Sequence, residues 1–300
     1  MRQYLGYLYI FMAACFWGLT GPTARFVLAD GMTPLEAAFW RAGLGSMFFL
    51  THAAATRGLR LHSKADGLAF ALFGAVSLGG FFASYQYAIK MGGAALAAVL
   101  LYTAPAWVAV CSRLFFRERI TLLKSLAIAV SLAGVMCISL SSIGPAAEPG
   151  LEAGALAPGG GVSMAGIMFG LLAGFLYSTH YIFSSSYLRR YSTYTLYGYC
   201  TLFGALALLP FVDFAAKSPR DWGVLLILGL VCTYGAYLAY CEGLRRLAPT
   251  RAAVLATLEP VVATFFAWWL WGENFAFTGW VGAALVMAAV LILVLDPEKK

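Results

Sequence analysis

Apolar stretches of about twenty residues follow one another along almost the whole sequence, divided only by short polar turns. A hydrocarbon core about 30 Å thick is crossed by roughly 20 apolar residues in an α-helix, so the pattern predicts an all-α integral membrane protein. Ten helices are expected, near 4–28, 33–55, 66–89, 94–115, 121–142, 163–187, 193–214, 221–243, 250–271 and 277–295. Composition agrees: 11% of residues are charged and the mean hydropathy is +0.81, whereas a soluble domain is nearer 25% charged.

Five of these helices precede GPAAEPGLEAGALAPGGG (144–161) and five follow it. That segment is rich in Gly, Pro and Ala and lacks Lys and Arg, the composition of a flexible connector. The expected organisation is a first five-helix unit (1–143), a linker (144–162) and a second five-helix unit (163–300).

The net charge of +7 has a location. With ten helices both termini fall on one side, and fifteen of the twenty Lys and Arg residues fall there too, among them Arg57, Arg113, Arg189 and Arg245. Arg25, Lys90, Lys217 and Arg220 lie on the other side, and Arg41 lies within a helix. The positive-inside rule then puts both termini in the cytoplasm. The surplus is a topology signal, and no nucleic-acid partner is expected. At the start of the chain, the apolar run of MRQYLGYLYIFMAAC continues beyond Cys15 through FWGLTGPTARF, as in a retained first helix. The six cysteines lack C-x-x-C spacing and read as small buried hydrophobes.

The two halves align with each other. At a constant spacing of 155 residues, Tyr85 falls on Tyr240, Ala97-Ala98-Val99-Leu100 on Ala252-Ala253-Val254-Leu255, Pro105 on Pro260, and Glu118 on Glu273. An odd number of helices per half turns the second upside-down, the inverted-repeat construction common in secondary transporters.

Three pieces carry a family resemblance: FWG (16–18), Arg41 within FWRAG (39–43), and the twin helices running from Pro105 to Arg117-Glu118 and from Pro260 to Gly272-Glu273. The second of these, LEPVVATFFAWWLWGE, is the most specific. Over essentially the whole chain the sequence resembles the drug/metabolite transporter superfamily, and within it the EamA-type permeases. The resemblance implies two inverted five-helix repeats around a central cavity, alternating access, and export of amino acids or other small metabolites from the cell through the cytoplasmic (inner) membrane. It implies no cofactor and leaves the oligomeric state open.

Glu259 is the leading candidate for a binding group. An acid at a helix centre costs about 2.5–3.5 kcal/mol on insertion scales and so faces protein or water. Pro260 removes a backbone N–H and frees a carbonyl one turn earlier. Together they suit an ammonium group, a cation or a proton, or else a carboxylate locking helices together. Arg41 suits either a carboxylate clamp or snorkelling towards the interface. Trp17, Tyr85, Tyr102, Trp107, Tyr177, Tyr181, Tyr234 and Tyr237 are candidate lining residues, phenols offering a stacking surface with a polar tip. Glu259 and His180 form a candidate proton relay. Pro22, Pro105 and Pro260 are expected helix breaks, and GLTGP (18–22) a hinge.

Other features have plainer expectations. Glu242 pairs with Arg246 at i,i+4; Glu118 and Glu273 anchor helix ends; WWLW (268–271) is an interfacial anchor. Gly166, Gly170 and Gly174 let another helix approach closely, more simply within the chain than between chains. No metal site is expected. There is no G-x-x-x-x-G-K-[ST], H-E-x-x-H or G-x-S-x-G, which weighs against an ATP-driven pump and against a polytopic enzyme. A flippase for lipids or lipid-linked sugars is the rival within transport.

Overall fold

The computed structural model describes residues 2–92, 94–141, 163–272 and 276–296. In lipid every backbone polar group must be satisfied within the chain, and these residues form helices with no strand among them. Ten rods result: α1 (Gln3–Ala29), α2 (Pro34–Ala55), α3 (Lys64–Gly92), α4 (Leu96–Phe115), α5 (Leu122–Leu140), α6 (Met164–Tyr187), α7 (Thr193–Phe211), α8 (Pro219–Leu244), α9 (Pro249–Leu270) and α10 (Phe277–Leu295). Nine are long and apolar enough to cross a membrane. α2 falls short on apolarity because it carries Glu36 and Arg41, yet its 22 residues give the length. The expected linker (144–161) and Glu273 lie outside the described residues.

Start signals in the sequence fix several helix ends. Thr33, Ser63 and Ser218 each accept a hydrogen bond from the backbone N–H three residues on, of Glu36, Asp66 and Asp221, and Pro34 and Pro219 occupy the first helical position. α7 stops short of the expected residue 214. It tightens into a 3₁₀ turn at Leu209–Phe211, where Pro210 has no N–H to continue the ladder.

Three rods are interrupted beside their prolines. α1 breaks at Leu19, α4 at Tyr102–Thr103 and α9 at Thr257. In each the proline follows by two to three residues and deprives the carbonyl four residues before it, on Gly18, Leu101 or Ala256, of its usual donor. Two other interruptions were not expected: α3 and α8 each contain a widened π turn, at Phe73–Gly79 and Leu230–Gly235.

The helices pack reciprocally across the two halves. α1 lies against α8 and α9, and α6 against α3 and α4; α2 pairs with α7 and α5 with α10. Glycines decide the closest of these approaches. A Cβ on Gly18 of α1 would sit 2.8 Å from the Glu259 carbonyl oxygen in α9, and one on Gly174 of α6 would sit 2.6 Å from the Leu100 carbonyl oxygen in α4. The glycine row of α6 is therefore an internal contact: Gly170 meets Leu100 and Gly166 meets Met91 and Gly92.

Buried charge ties together the end of the bundle that holds the termini, hereafter the basic end. Arg251 is fully buried and donates to the Leu293 and Asp296 carbonyls (2.9 and 2.6 Å), to the Tyr7 hydroxyl (2.6 Å) and to the Asp296 carboxylate (3.3 Å). Glu118 accepts from Lys124 (2.7 Å) and from Thr250 (3.0 Å), which is helix-end anchoring as expected. At the opposite end Glu36 is fully buried and pairs with Lys217, while accepting from the Trp40 indole and the Ala215 N–H.

Candidate functional site

The interrupted middle of α9 presents Glu259 to the bundle interior. Its side chain is partly accessible and, among the described residues, makes no hydrogen bond or ion pair. Helix locking by a bonded carboxylate is thus not what is found. The Arg41 guanidinium lies within electrostatic reach of it, as do the hydroxyls of Tyr85, Tyr102, Tyr177, Tyr181 and Tyr237. α2, α3, α4, α6 and α8 thus all bring a polar group towards one acid on α9.

Arg41 is held from another helix. Its Nε donates to the Thr233 hydroxyl (3.0 Å) and an Nη to the Cys232 carbonyl (3.5 Å), both in the π turn of α8. A π turn leaves carbonyls imperfectly paired along its own ladder, and the guanidinium uses one. Arg41 therefore does not snorkel to the interface; it is fixed inside, with part of its five-donor fork uncommitted.

Aromatic rings form the walls. Trp17 meets Tyr237 edge-on (5.5 Å) and Tyr240 at a tilt (5.2 Å); Tyr240 meets Tyr181 (5.3 Å), and Tyr181 meets Tyr177 (5.8 Å). Phe81 carries the contact on to Tyr177 (5.6 Å) and Tyr85 (6.1 Å), while Tyr197 stacks on Tyr237 at 4.1 Å. The Tyr240 hydroxyl is buried without a hydrogen-bond partner, while that of Tyr181 faces the Tyr177 hydroxyl. An unpartnered group costs free energy unless something intermittently satisfies it.

Three candidates stand apart from this cluster. Trp107 is 36% exposed and packs on Phe175, itself exposed, at the bundle surface. Tyr234 turns towards α2, its hydroxyl 2.6 Å from His52 Nδ1. His180 is buried against Phe73 (5.1 Å) beside the Ser77 backbone, and touches the cluster through Tyr177 (5.9 Å) and Phe81 (6.3 Å). Three residues are gained: Phe81, Tyr197, and Tyr240, whose alignment with Tyr85 at the 155-residue spacing was a legible signal. Glu242 pairs with Arg246 as expected, and Trp268 and Trp269 are exposed near the end of α9. Among the described residues no group of His, Cys, Asp or Glu could hold a metal ion.

A membrane bundle of interrupted helices around an unpaired acid defines a transporter class, and the comparisons with known proteins agree. The signature of the EamA-like transporter family matches twice, at residues 4–140 and 164–295. The chain is 28% identical over 277 residues to an uncharacterized transporter of Archaeoglobus fulgidus, with 91% of this chain and 92% of that one covered. It is 27% identical to an uncharacterized transporter of Bacillus subtilis (94% and 89% covered) and 24% identical to an uncharacterized inner membrane transporter of Salmonella typhimurium (98% and 97% covered). A solved structure at 18% identity superposes with a TM-score of 0.78, covering 97% of this chain and 96% of that one, and shares its fold. The protein is a member of the EamA-like transporter family, within the drug/metabolite transporter superfamily, and a multi-pass secondary transporter.

Proposed function

We propose that the protein exports small zwitterionic metabolites, amino acids foremost, by alternating access between two inverted five-helix repeats, 1–143 and 163–300. Glu259 takes the ammonium group, Arg41 the carboxylate, and Trp17, Tyr85, Tyr102, Tyr177, Tyr181 and Tyr237 the side chain between them. The observation that carries this reading is Glu259 itself: a partly accessible acid with no bonded partner, facing a guanidinium that keeps donors to spare. A membrane acid left unpaired is retained for what it binds. The double family match and the reciprocal packing of the halves support the repeat division. The basic end lies in the cytoplasm of a cell whose inner membrane holds the protein, on the charge asymmetry.

Glu259 also suits proton exchange. His180 would serve as a relay only by way of Tyr177, a longer route than direct access to the acid.

The test is counterflow of radiolabelled neutral and aromatic amino acids in liposomes, with and without a pH gradient, beside Glu259→Gln. The expected result is specific flux that the variant loses. Intact flux in the variant would overturn the role of Glu259, and no flux for any amino acid would move lipids and organic cations ahead of amino acids.

A further inference from the structure

A cavity of about 480 Å³ opens at the basic end, away from Glu259, between the final turns of α4, α6 and α8 and the start of α9. Phe116, Leu188, Leu244 and Ala248 form its apolar wall, and Ser185, Arg189 and Arg245 its polar one. Arg245 is already committed: it donates to the Leu188 and Tyr191 carbonyls (2.6 and 3.2 Å) and faces Glu242 at 3.4 Å. Arg189 is exposed and, among the described residues, has neither ion pair nor hydrogen bond. The Ser185 hydroxyl is buried and unbonded.

The first turn of α9 also borders the cavity and has no side-chain cap, since Ala248 precedes Pro249. Uncapped N–H groups and the helix dipole favour an anion there. Two carboxylates are near and both are paired: Glu242 with Arg245 and Arg246, and Glu118, which accepts from Thr250 in that same first turn, with Lys124. Two donors without acceptors, Arg189 and the Ser185 hydroxyl, thus meet the start of α9 at one space of solute size.

One turn further into the bundle from this space stands a pair of rings. One turn along α6 from Ser185 stands Tyr181, and one turn along α8 from Leu244 stands Tyr240. They meet edge-on at 5.3 Å and 86°. Beyond them are Trp17 and Tyr177, and Tyr181 is within electrostatic reach of Glu259.

We infer that the cavity is a loading vestibule that captures the carboxylate of the outgoing solute through Arg189 and Ser185, and that the Tyr181–Tyr240 pair is the gate through which the solute passes to Glu259. The inference rests on the transport reading above, but its geometry is separate. The Tyr240 hydroxyl lacks a partner when the rings meet and gains one when a polar solute lies between them. Export then begins with the carboxylate end leading, and the ammonium is read only after the gate.

Charge-selective thiol labelling tests this without a substrate. In a background with the native cysteines replaced, Ser185→Cys is treated in inside-out vesicles with impermeant methanethiosulfonates of similar size, one bearing a sulfonate and one a trimethylammonium group. Relative to their rates with a free thiol, the sulfonate reagent should react about tenfold faster, as expected of a focused positive field, and Arg189→Gln should bring the ratio near one. Equal rates in the parent, or a ratio indifferent to Arg189→Gln, overturn the anion site.

For the gate, Tyr177→Cys should react far more slowly than Ser185→Cys and accelerate several-fold in Tyr240→Ala, with Tyr240→Leu serving if the alanine variant does not fold. Equal reactivity at the two positions with the ring pair intact overturns the gate. If Glu259→Gln leaves transport intact while charge selectivity persists, the reading of Glu259 fails and the vestibule stands.

Discussion

α4 and α9 share one kind of break and differ at the residue just before its proline. Both are interrupted beside a proline, α4 at Tyr102–Thr103 and α9 at Thr257, and both interruptions are clasped by a glycine from the first helix of the other half, Gly174 and Gly18. Where α9 has Glu259, α4 has Ala104, which is 1% exposed. The break recurs with the architecture, while the acid occurs once. The lesson is that the interruption recurs without the acid, so the acid is not what makes the break.

The largest effect should come from removing that difference. Glu259→Gln is expected to cut flux about 10- to 100-fold, the ~1.5–3 kcal/mol of a charge-assisted bond, while the thermal midpoint in detergent stays level or rises, because a partly buried charge with no bonded partner is lost. Adding Ala104→Glu to that variant should not rescue flux, since position 104 is closed. Rescue would break the comparison and make the halves interchangeable.

Next come the clasps. Gly18→Ala and Gly174→Ala each force a Cβ to within 3 Å of a backbone oxygen, so each should cost about 1–3 kcal/mol of stability. Thermal melts of similar depression would sharpen the equivalence of the halves; one tolerant site would weaken it. Arg41→Lys keeps the charge but loses the fork held by Thr233 and Cys232. It should raise KM for a carboxylate-bearing substrate more than it lowers kcat, read from initial rates.

The smallest effect belongs to Tyr234→Phe, which gives up one bond to His52 and about 1 kcal/mol of stability. Transport should be unchanged. A transport defect would draw Tyr234 back into the binding cluster.

Much of this was written in residue order. Twenty-residue apolar runs give the ten rods, prolines give the three interruptions, and the 155-residue register ties Pro105 to Pro260 and Tyr85 to Tyr240. What could not be read depended on helix rotation. Trp107 follows Tyr102 by five residues, across an interruption, and faces the bundle surface. Tyr234 looked like a neighbour of Tyr237 at i,i+3, but it sits inside the π turn, where the angle per residue is smaller, and so faces α2 instead. Arg41 offered no sequence clue to its partner because the carbonyl it uses is supplied by that same turn. A glycine closes both π turns, Gly79 and Gly235, a weak mark that gains meaning only once the widened turns are seen.

Those two turns have a mechanical consequence. A widened turn is a dislocation in the helical lattice, and sliding it by one residue exchanges hydrogen bonds locally without unravelling the rod. Such a slide would rotate the residue it passes by about 100° relative to the rest of the helix. α3 and α8, the third helices of their halves, each hold one dislocation near the middle of the rod. In α8 it carries the residues that grip Arg41 and lies just before Tyr237 and Tyr240. A slide of a single residue would therefore re-pair the carbonyls of that turn, the one Arg41 uses among them, without moving the helix along its axis.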